Sequence, residues 1–288
     1  MQTLVAMVKK MKSNISSKLL GWRMWIQSAF LVLWLDPLGL RLHTMCSPVF
    51  HCYSCPLATF ACPIGIIAQF SAMHLFPFVA VGLLVTVGIL FGTLICGWVC
   101  PFGFLQDMAA KIPTPRFDLP KFTGYFKYVV LIVTVLAIPY FFGEEHLLFF
   151  CRICPAGALE ARVPSMINQA IAGQSVVWPN ALKLIILILF LIAIFFVKRP
   201  WCRMLCPLGA IFSLFNRFSA FFLRFNADKC TDCKRCHKLC EFGIEPEKSP
   251  NDLGCVRCLE CTKCGPDALN LGSIFERTEK DNEKIKTE

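Results

Sequence analysis

Charged side chains are scarce in this chain. Asp, Glu, Lys and Arg make up only 17% of its 288 residues, whereas soluble domains carry about 25%. Hydrophobic residues reach 56%, so neither a disordered nor a fibrous protein fits the composition. The scarcity of charge also argues against an ordinary soluble enzyme and favours an integral membrane protein.

Several common functional signatures are missing as well. The sequence contains no glycine-rich phosphate loop, no dinucleotide fingerprint and no nucleophile triad. Its few histidines do not pair mid-span, so haem held between facing helices is not expected. No cleavable signal peptide is expected, because the apolar run behind the basic N-terminus is long and lacks a small-residue cleavage site. Lys and Arg outnumber Asp and Glu by 29 to 19, which membrane orientation explains without nucleic acid.

Four apolar stretches predict four transmembrane helices, and therefore a mainly α fold with a four-helix transmembrane bundle. The stretches lie at residues 22–40, 72–95, 125–142 and 181–197. Each approaches the ~20 residues that a helix needs to cross ~30 Å of hydrocarbon. Asp36 near the end of the first stretch and Pro139 in the third make those two predictions weaker.

The positive charges beside these stretches predict their orientation. They concentrate in the N-terminal segment, between the second and third stretches, and behind the fourth. By the positive-inside rule both termini should lie in the cytoplasm, with the spans in a prokaryotic inner membrane. An apolar stretch after the fourth span contains Arg217, which would cost about 2.5–3.5 kcal/mol at mid-membrane. We therefore expect an interfacial helix there instead of a fifth span.

Composition divides the chain into five parts. The sequence turns polar after residue 225, which marks a domain boundary. The expected parts are a basic N-terminal segment (1–21), a four-span membrane domain (22–207), the interfacial helix (208–225), a small cysteine-rich domain (226–274) and a polar tail (275–288).

Eight of the 18 cysteines lie between residues 230 and 264, in a C-x2-C-x2-C-x3-C group and a C-x2-C-x2-C-x2-C group. Three thiolates so spaced can hold three corners of a [4Fe–4S] cluster, and in two-cluster ferredoxins the fourth ligand comes from the other group. Zinc sites use a similar spacing, but two triple repeats favour clusters. The expected ligands are Cys230, Cys233, Cys236 and Cys264 for one cluster, and Cys255, Cys258, Cys261 and Cys240 for the other.

Residues 226–274 resemble a bacterial two-cluster ferredoxin, which implies a small α+β domain there. Two details depart from that pattern. Glu241 stands where proline would follow Cys240, and Cys264 comes one residue early. These departures concern the detailed ligation by Cys264, and two clusters are still expected.

Two C-x3-C-P motifs lie at the ends of the second and fourth spans, on the predicted cytoplasmic side. A spacing of four places two thiols on one helix face, so two such pairs supply four ligands for one metal centre. The alternative is reduced thiols that only help helices to pack. The candidate centre consists of Cys96, Cys100, Cys202 and Cys206.

The remaining six cysteines, including Cys46, lie on the opposite side of the membrane. A further [4Fe–4S] cluster, disulfides and another metal site are all compatible with them, since the far side of a bacterial inner membrane is oxidising. The candidate ligands of an outer-face centre are Cys52, Cys55, Cys62, Cys151 and Cys154.

Taken together, these motifs resemble the polyferredoxin-type membrane proteins, the family of the NapH-type membrane subunit of periplasmic nitrate reduction and of NosR. The matching segments are residues 96–120, residues 201–212 and the ferredoxin motifs. The resemblance implies electron transfer between membrane quinone and a redox partner. The outer-face cysteines are not expected of the nitrate-reduction subunit, and they indicate a subfamily with additional centres and a different partner.

Ionisable groups near the outer interface are candidates for a quinol site, because ionisable residues there are often functional. The candidates are Asp36, Glu144, Glu145 and His146. The expected function is electron transfer by a membrane-bound iron–sulfur protein, with lipid, quinone and a periplasmic cytochrome or reductase as partners. The alternatives are an accessory protein that reduces a metal or disulfide during assembly of another enzyme, and a redox-sensing regulator. No DNA-binding or kinase-like segment supports the regulator.

Overall fold

A computed structural model describes most of the chain. The described residues are 20–33, 46–49, 52, 61–112, 114, 115, 117, 120–173, 175, 178, 180–197, 199–240, 242–264 and 268–274. The described part is mainly helical, as predicted from the sequence, with one two-stranded sheet. Asp36 and Cys55 lie outside the described residues.

The α-helices are short, and several continue directly into π- or 3₁₀-helical turns. They are α1 (residues 20–33), α2 (Pro63–Ala72), α3 (Phe78–Phe91), α4 (Leu94–Trp98), α5 (Pro101–Ala109), α6 (Phe126–Val130), α7 (Ile138–Phe142), α8 (Phe150–Ile153), α9 (Pro155–Gly157), α10 (Val163–Ile171), α11 (Ala181–Phe196), α12 (Pro207–Leu214) and α13 (Arg235–Leu239). The π-helical segments are Leu131–Ala137, Ala158–Arg162 and Trp201–Leu205. The 3₁₀-helices are Lys121–Tyr125, Phe215–Arg217, Ala227–Lys229 and Glu260–Cys264.

One helix within the described residues is long and apolar enough to cross a membrane. It spans Phe122–Phe142, has a mean hydropathy of 1.9, and corresponds to the third predicted span. Shorter apolar helices occupy the second and fourth predicted spans, as α3 and α11. The second span is broken into α3 and α4, because Gly92 takes a φ of +55° that ends α3. The first is helical over residues 20–33, and the rest of it lies outside the described residues.

The interfacial helix predicted over residues 208–225 is wrong in its second half. Helix α12 ends at Leu214, and Phe221–Phe225 forms strand β1. This strand pairs antiparallel with β2 (Leu269–Ser273), so that Leu223 lies opposite Leu271. The backbone of β1 is therefore satisfied by the ferredoxin domain, whose sheet begins before residue 226.

The predicted ferredoxin domain packs directly against the ends of the apolar helices. One hydrophobic core joins Phe102 of α5 and Phe212 of α12 to Phe242 and Val256 of the ferredoxin domain. A second, smaller core joins Leu20 of α1 to the same domain. Shared apolar packing of this kind fixes the two parts against each other.

The buried side chain of Arg257 strengthens this junction. Its guanidinium donates to Ser219 Oγ at 2.5 Å, to the backbone oxygen of Asn216 at 2.5 Å and to that of Phe91 at 3.3 Å. Burial lowers the pKa of Arg257 to about 10, so the group stays cationic at neutral pH. A buried cation needs such partners, because it has lost its hydration.

Candidate iron–sulfur centres

Sixteen of the described cysteines fall into four groups of four, and each group lines a cavity. We call them the distal site (Cys230, Cys233, Cys236 and Cys264), the proximal site (Cys240, Cys255, Cys258 and Cys261), the inner site (Cys96, Cys100, Cys202 and Cys206) and the outer site (Cys52, Cys62, Cys151 and Cys154). The structure therefore brings together each set of cysteines that the sequence grouped, apart from Cys55. No disulfide bond joins the described cysteines.

The distal and proximal sites are built by two loops with the same backbone conformation. Asp232 and Arg257 each lie two residues after the first cysteine of their loop, with φ of +50° and +51°. Two residues further along each loop, Lys234 and Leu259 also have positive φ, of +52° and +62°. In the distal loop the backbone amide of Asp232 donates to Cys230 Sγ at 3.4 Å. In the proximal loop the amide of Arg257 donates to Cys255 Sγ at the same distance. Non-glycine residues with positive φ cost about 1–3 kcal/mol and concentrate at functional sites.

Two short helices connect the distal and proximal sites. The 3₁₀-helix Glu260–Cys264 carries Cys261 of the proximal site and Cys264 of the distal site. Helix α13 contains Cys236 of the distal site, and Cys240 of the proximal site caps its C-terminal end. Each site thus takes a cysteine from the other loop, as the ferredoxin resemblance implies.

Burial differs between these two sites. Cys230 and Cys233 are exposed, whereas Cys258 and Cys261 are buried. Burial, together with the nearby Cys258 and Cys240, raises the pKa of the Cys255 thiol to about 12. Buried thiolates in such a group need a cationic partner, and thiolate ligation of iron provides one.

The inner and outer sites share a C-P-x-G motif that the sequence analysis missed. In each of its four occurrences the cysteine is the N-cap of a helix and the proline is the first helical residue. The motifs begin at Cys62, Cys100, Cys154 and Cys206. The motif can be recognised from the sequence alone, because a glycine stands two positions after each of these prolines.

The glycine of this motif brings the helix backbone close to the cysteines. The amide of Gly209 donates to Cys206 Sγ at 3.3 Å. A Cβ added at Gly103 would lie 2.9 Å from the backbone oxygen of Cys96. The amides at a helix N-terminus favour negative charge, so the motif is suited to present a thiolate.

Polar and cationic groups surround the inner site. Gln106 Nε2 donates to Cys202 Sγ at 3.2 Å. Lys127 lines the same cavity, and its amine donates to the backbone oxygen of Leu253 at 2.9 Å. A cation and a hydrogen-bond donor next to thiolates stabilise the more negative state of a centre.

The inner site adjoins the proximal site. Cys255 lines both cavities. Its backbone oxygen accepts hydrogen bonds from Thr93 Oγ1 and from Asn216 Nδ2, both at 2.8 Å. Residues outside the ferredoxin loops, Thr93 and Asn216, therefore hold the backbone of a proximal-site cysteine directly.

The outer site lies in a much larger cavity, of about 520 Å³. The amide of Cys52 donates to Glu160 Oε2 at 2.9 Å, and Lys183 Nζ donates to the backbone oxygen of Cys151 at 3.3 Å. Cys46 does not line this cavity, although it forms a backbone bridge with Ala61 next to Cys62.

The predicted quinol-site residues are only partly brought together. Glu144 and Glu145 line the outer cavity, and Glu144 Oε2 accepts from Gln69 Nε2 at 2.6 Å. His146 does not line it; its Nδ1 instead accepts from the amide of Leu148 at 3.2 Å. Asp36 belongs to the part of the chain that the structure does not describe.

Four cysteines at one cavity match the number of ligands that a [4Fe–4S] cluster takes. Among the described residues, no group of three or more His, Cys, Asp or Glu side chains is arranged to hold one metal ion. In a [4Fe–4S] cluster each cysteine binds a different iron, so the four sulfurs need not converge on one point. Together with the duplicated loops, the sites define a ferredoxin-type iron–sulfur protein.

Comparison with known proteins agrees with this class. A family model described as a 4Fe-4S binding domain matches residues 73–120 and 180–226. These segments contain the four cysteines of the inner site and end before Cys230. The match therefore concerns the C-x3-C-P region, separately from the C-terminal ferredoxin motifs.

Relatives that match a larger part of the chain extend the comparison. The chain is 32% identical to the uncharacterized protein MJ0750 of Methanocaldococcus jannaschii over 205 residues, covering 67% of this chain and 78% of the relative. It is 25% identical to the putative electron transport protein YccM of Escherichia coli, covering 70% of this chain and 57% of the relative. It is 29% identical to the regulatory protein NosR of Stutzerimonas stutzeri, covering 59% of this chain and 24% of the relative. No solved structure matches the chain.

The chain belongs to the family of NapH- and NosR-like ferredoxin-type 4Fe–4S proteins. The family assignment made from the motifs is thereby confirmed. Its [4Fe–4S] cofactor class is supported as well.

Proposed function

We propose that this protein is a membrane-bound iron–sulfur electron-transfer protein. It passes electrons between the quinone pool or a cytoplasmic donor and a redox partner, across or at a prokaryotic inner membrane. The observation that carries the proposal is the succession of four cavities, each lined by four cysteines. When bound there, [4Fe–4S] clusters supply one-electron transfer.

The membrane assignment rests on the apolar helices and their exposed faces. Phe78 of α3 is 77% exposed, and Ile185 and Leu189 of α11 are 54% and 59% exposed. Large apolar side chains exposed along whole helices are typical of a lipid-facing surface. We infer four spans with both termini in the cytoplasm, so that the distal, proximal and inner sites lie at the cytoplasmic side.

Contacts along α11 support a relay between the inner and outer sites. Lys183 of α11 contacts the outer site, and Phe190 of the same helix stacks on Phe102 at 4.9 Å between ring centroids. Phe102 follows Cys100 of the inner site by two residues. The seven residues of α-helix between Lys183 and Phe190 rise about 10 Å, much less than the ~30 Å hydrocarbon core. This short rise supports centres that are recessed into the membrane.

The protein's own residues order the path. The two ferredoxin loops hold sulfur by amide donors, and their shared short helices keep the distal and proximal sites adjacent. Cys255 connects the proximal site to the inner site. These contacts support the order distal, proximal, inner, and the contacts along α11 support the outer site as the last in the series.

The distal and outer sites, which stand at the two ends of this series, are the contact points for redox partners. At the distal end the exposed sulfurs of Cys230 and Cys233 suit contact with a cytoplasmic electron carrier. At the outer end, the large cavity with Glu144 and Glu145 suits quinol or a periplasmic cytochrome or reductase. The carboxylates there serve as acceptors for protons.

Iron and acid-labile sulfide analysis of anaerobically purified protein tests this proposal. We expect about sixteen irons per chain, four for each site. Changing one cysteine of a site, as in Cys206→Ser or Cys154→Ser, should remove about four irons and one EPR signal of the reduced protein. Cys46→Ser is the matched control and should keep all the iron. Zinc in place of iron, or only the eight irons of the ferredoxin motifs, would contradict the four-site relay.

The second candidate is an assembly protein that uses the same sites to reduce a metal or disulfide. The two functions differ in turnover. A respiratory protein is reoxidised rapidly by quinone analogues, whereas an assembly protein is not.

A further inference from the structure

A cavity of about 210 Å³ lies where the membrane helix Phe122–Phe142 meets the ferredoxin domain. Tyr125, Lys127 and Tyr128 line it from the membrane side. On the ferredoxin side it is lined by residues 242, 244, 245, 248, 249 and 252–254. We propose that this cavity binds the head group of a quinone. This inference rests on the proposed function, and it places a quinone site apart from the outer cavity.

Position is the first argument. The cavity and the inner site share Lys127, Leu253 and Gly254 as a common wall. A ligand in the cavity is therefore separated from the four cysteines by a single layer of residues. A redox-inactive ligand would gain nothing from this proximity, whereas a ligand that exchanges electrons needs it.

Access from the membrane is the second argument. Phe122, Tyr125 and Phe126 are 82%, 61% and 48% exposed at the start of the membrane helix. Exposed aromatic residues at a helix end are typical of the lipid–water interface. Pockets for whole drug-sized ligands usually hold about 300–1,000 Å³, so this smaller cavity suits a ring whose apolar tail stays among these side chains.

The polar groups of the cavity select the head group. Lys127 and the buried Arg203 provide cationic donors. Tyr128 Oη lies 2.8 Å from Ser213 Oγ, and Ser213 Oγ donates to the backbone oxygen of Ala210. Tyr128 is therefore the donor of that pair, and its oxygen keeps lone pairs for a hydroxyl of the reduced ligand.

The lining carries charges of both signs, which suits a neutral polar head group. Lys127, Arg203 and Lys248 are cationic, Glu245 and Asp252 are acidic, and Glu245 is paired with Lys248 at 2.6 Å. Neutral carbonyl and hydroxyl groups use donors and acceptors alike. Oxidation of a bound quinol releases two electrons and two protons. Two one-electron acceptors, oxidised [4Fe–4S] clusters, take the electrons, and the two carboxylates take the protons.

Two glycines make a matched test of this site. A Cβ added at Gly124, which lines the cavity, meets no atom within 4 Å, and the same holds for Gly82 on α3, which lies outside it. Gly124→Leu should therefore fill the cavity without a backbone clash, and Gly82→Leu is its control. The probe is decylubiquinone, added to cluster-loaded full-length protein in phosphatidylcholine nanodiscs. We expect Gly124→Leu to weaken its binding by at least about tenfold and Gly82→Leu to leave it unchanged.

Photolabelling gives an independent readout. An arylazido quinone should label residues 122–128 or 242–254, and decylubiquinone should displace it. Labelling confined to the outer cavity, or equal binding by both glycine variants, would overturn the inference. So would labelling of the cavity by a photoreactive phospholipid that the quinone does not displace. Ser249→Leu fills the cavity from the ferredoxin side and replaces Gly124→Leu if that variant fails to assemble.

The iron content and EPR spectra of each variant separate this inference from the proposed function. If all four clusters are present and both variants bind quinone equally, only the cavity assignment fails. If the inner and outer clusters are absent, the proposed relay fails, and the labelling still decides whether the cavity binds quinone.

Discussion

Asp107 and Arg199 form a buried ion pair behind the inner site, in which Arg199 Nε donates to Asp107 Oδ1 at 2.6 Å. Arg23 of α1 donates to the other carboxylate oxygen at 2.6 Å and to Glu260 of the ferredoxin domain at 3.1 Å. Gln27 also donates to Asp107, at 3.0 Å. The carboxylate of Asp107 on α5 thus connects α1 with the segment before Cys202. Arg23 extends this connection to the ferredoxin domain.

Replacing this carboxylate should destabilise the whole assembly. In Asp107→Ala, the cations of Arg23 and Arg199 remain buried without their shared anion, at a cost of about 3–5 kcal/mol. Thermal unfolding of the protein in detergent should show a clearly lower midpoint. Lys248→Gln removes a surface pair with Glu245 and should leave the midpoint unchanged. A midpoint for Asp107→Ala equal to that of the parent protein would mean that the network does not support the fold.

The charge of Lys127 should set the potential of the inner centre. A nearby cation favours the reduced and more negative state of a centre. Lys127→Gln should therefore lower the reduction potential of the inner cluster, measured by EPR-monitored redox titration. Lys183→Gln is the matched variant at the outer site and should lower the potential of that cluster alone. Equal shifts at both centres in either variant would show that local charge is not the cause.

The glycines of the C-P-x-G motif should differ in their tolerance of substitution. The Cβ of Gly103→Ala would meet the backbone oxygen of Cys96 at 2.9 Å, whereas at Gly209 the nearest atom, Cys202 O, is 3.5 Å away. Overpacking of this kind costs about 1–3 kcal/mol. Gly103→Ala should lose inner-site iron, and Gly209→Ala should retain it, in a metal analysis of the purified variants. Full iron content in both variants would contradict the close approach at Gly103.

Arg257 should control how firmly the ferredoxin domain is held. Lysine cannot reproduce its several hydrogen bonds to Asn216, Ser219 and Phe91. In Arg257→Lys, hydrogen exchange of residues 242–264 should become faster. Arg235→Lys changes an exposed arginine on α13 and should leave the exchange unchanged. The prediction fails if the two variants exchange alike.

Clusters should be lost in the order of cysteine exposure. The distal site exposes Cys230 and Cys233, whereas Cys258 and Cys261 of the proximal site are buried. Treatment with an oxidant and an iron chelator should therefore remove the distal EPR signal first. Loss of the proximal signal first, or of both at one rate, would contradict this order.

Much of the site could be predicted from the sequence because cysteine ligation leaves a local pattern. The C-x2-C spacing sets the loop that holds three corners of a cluster, so the distal and proximal groups were recognisable from spacing and resemblance. The C-x3-C-P pairs predicted the inner group for a similar reason, since a spacing of four places two thiols on one face. The glycine of the C-P-x-G motif was equally visible in the sequence, but its role depends on the approach of Gly103 to Cys96.

Other features depended on contacts between distant parts of the chain. The apolar stretch after Leu214 looked helical, yet β1 became a strand because β2 offers it a partner almost fifty residues later. No local pattern shows that Arg23 and Arg199 share the carboxylate of Asp107. Only the packed helices bring Lys183 of α11 to the outer site and Phe190 of the same helix to Phe102, next to the inner site.

The sequence by itself therefore determined the chemistry of this protein: cysteines in ligand spacing, apolar helices and the family to which they belong. Tertiary structure decided how the four sites are ordered and what lies between them. Ligand spacing is a local property, which a few consecutive residues encode. Cavities, shared walls and buried ion pairs require side chains from segments far apart in sequence, and packing alone brings those together.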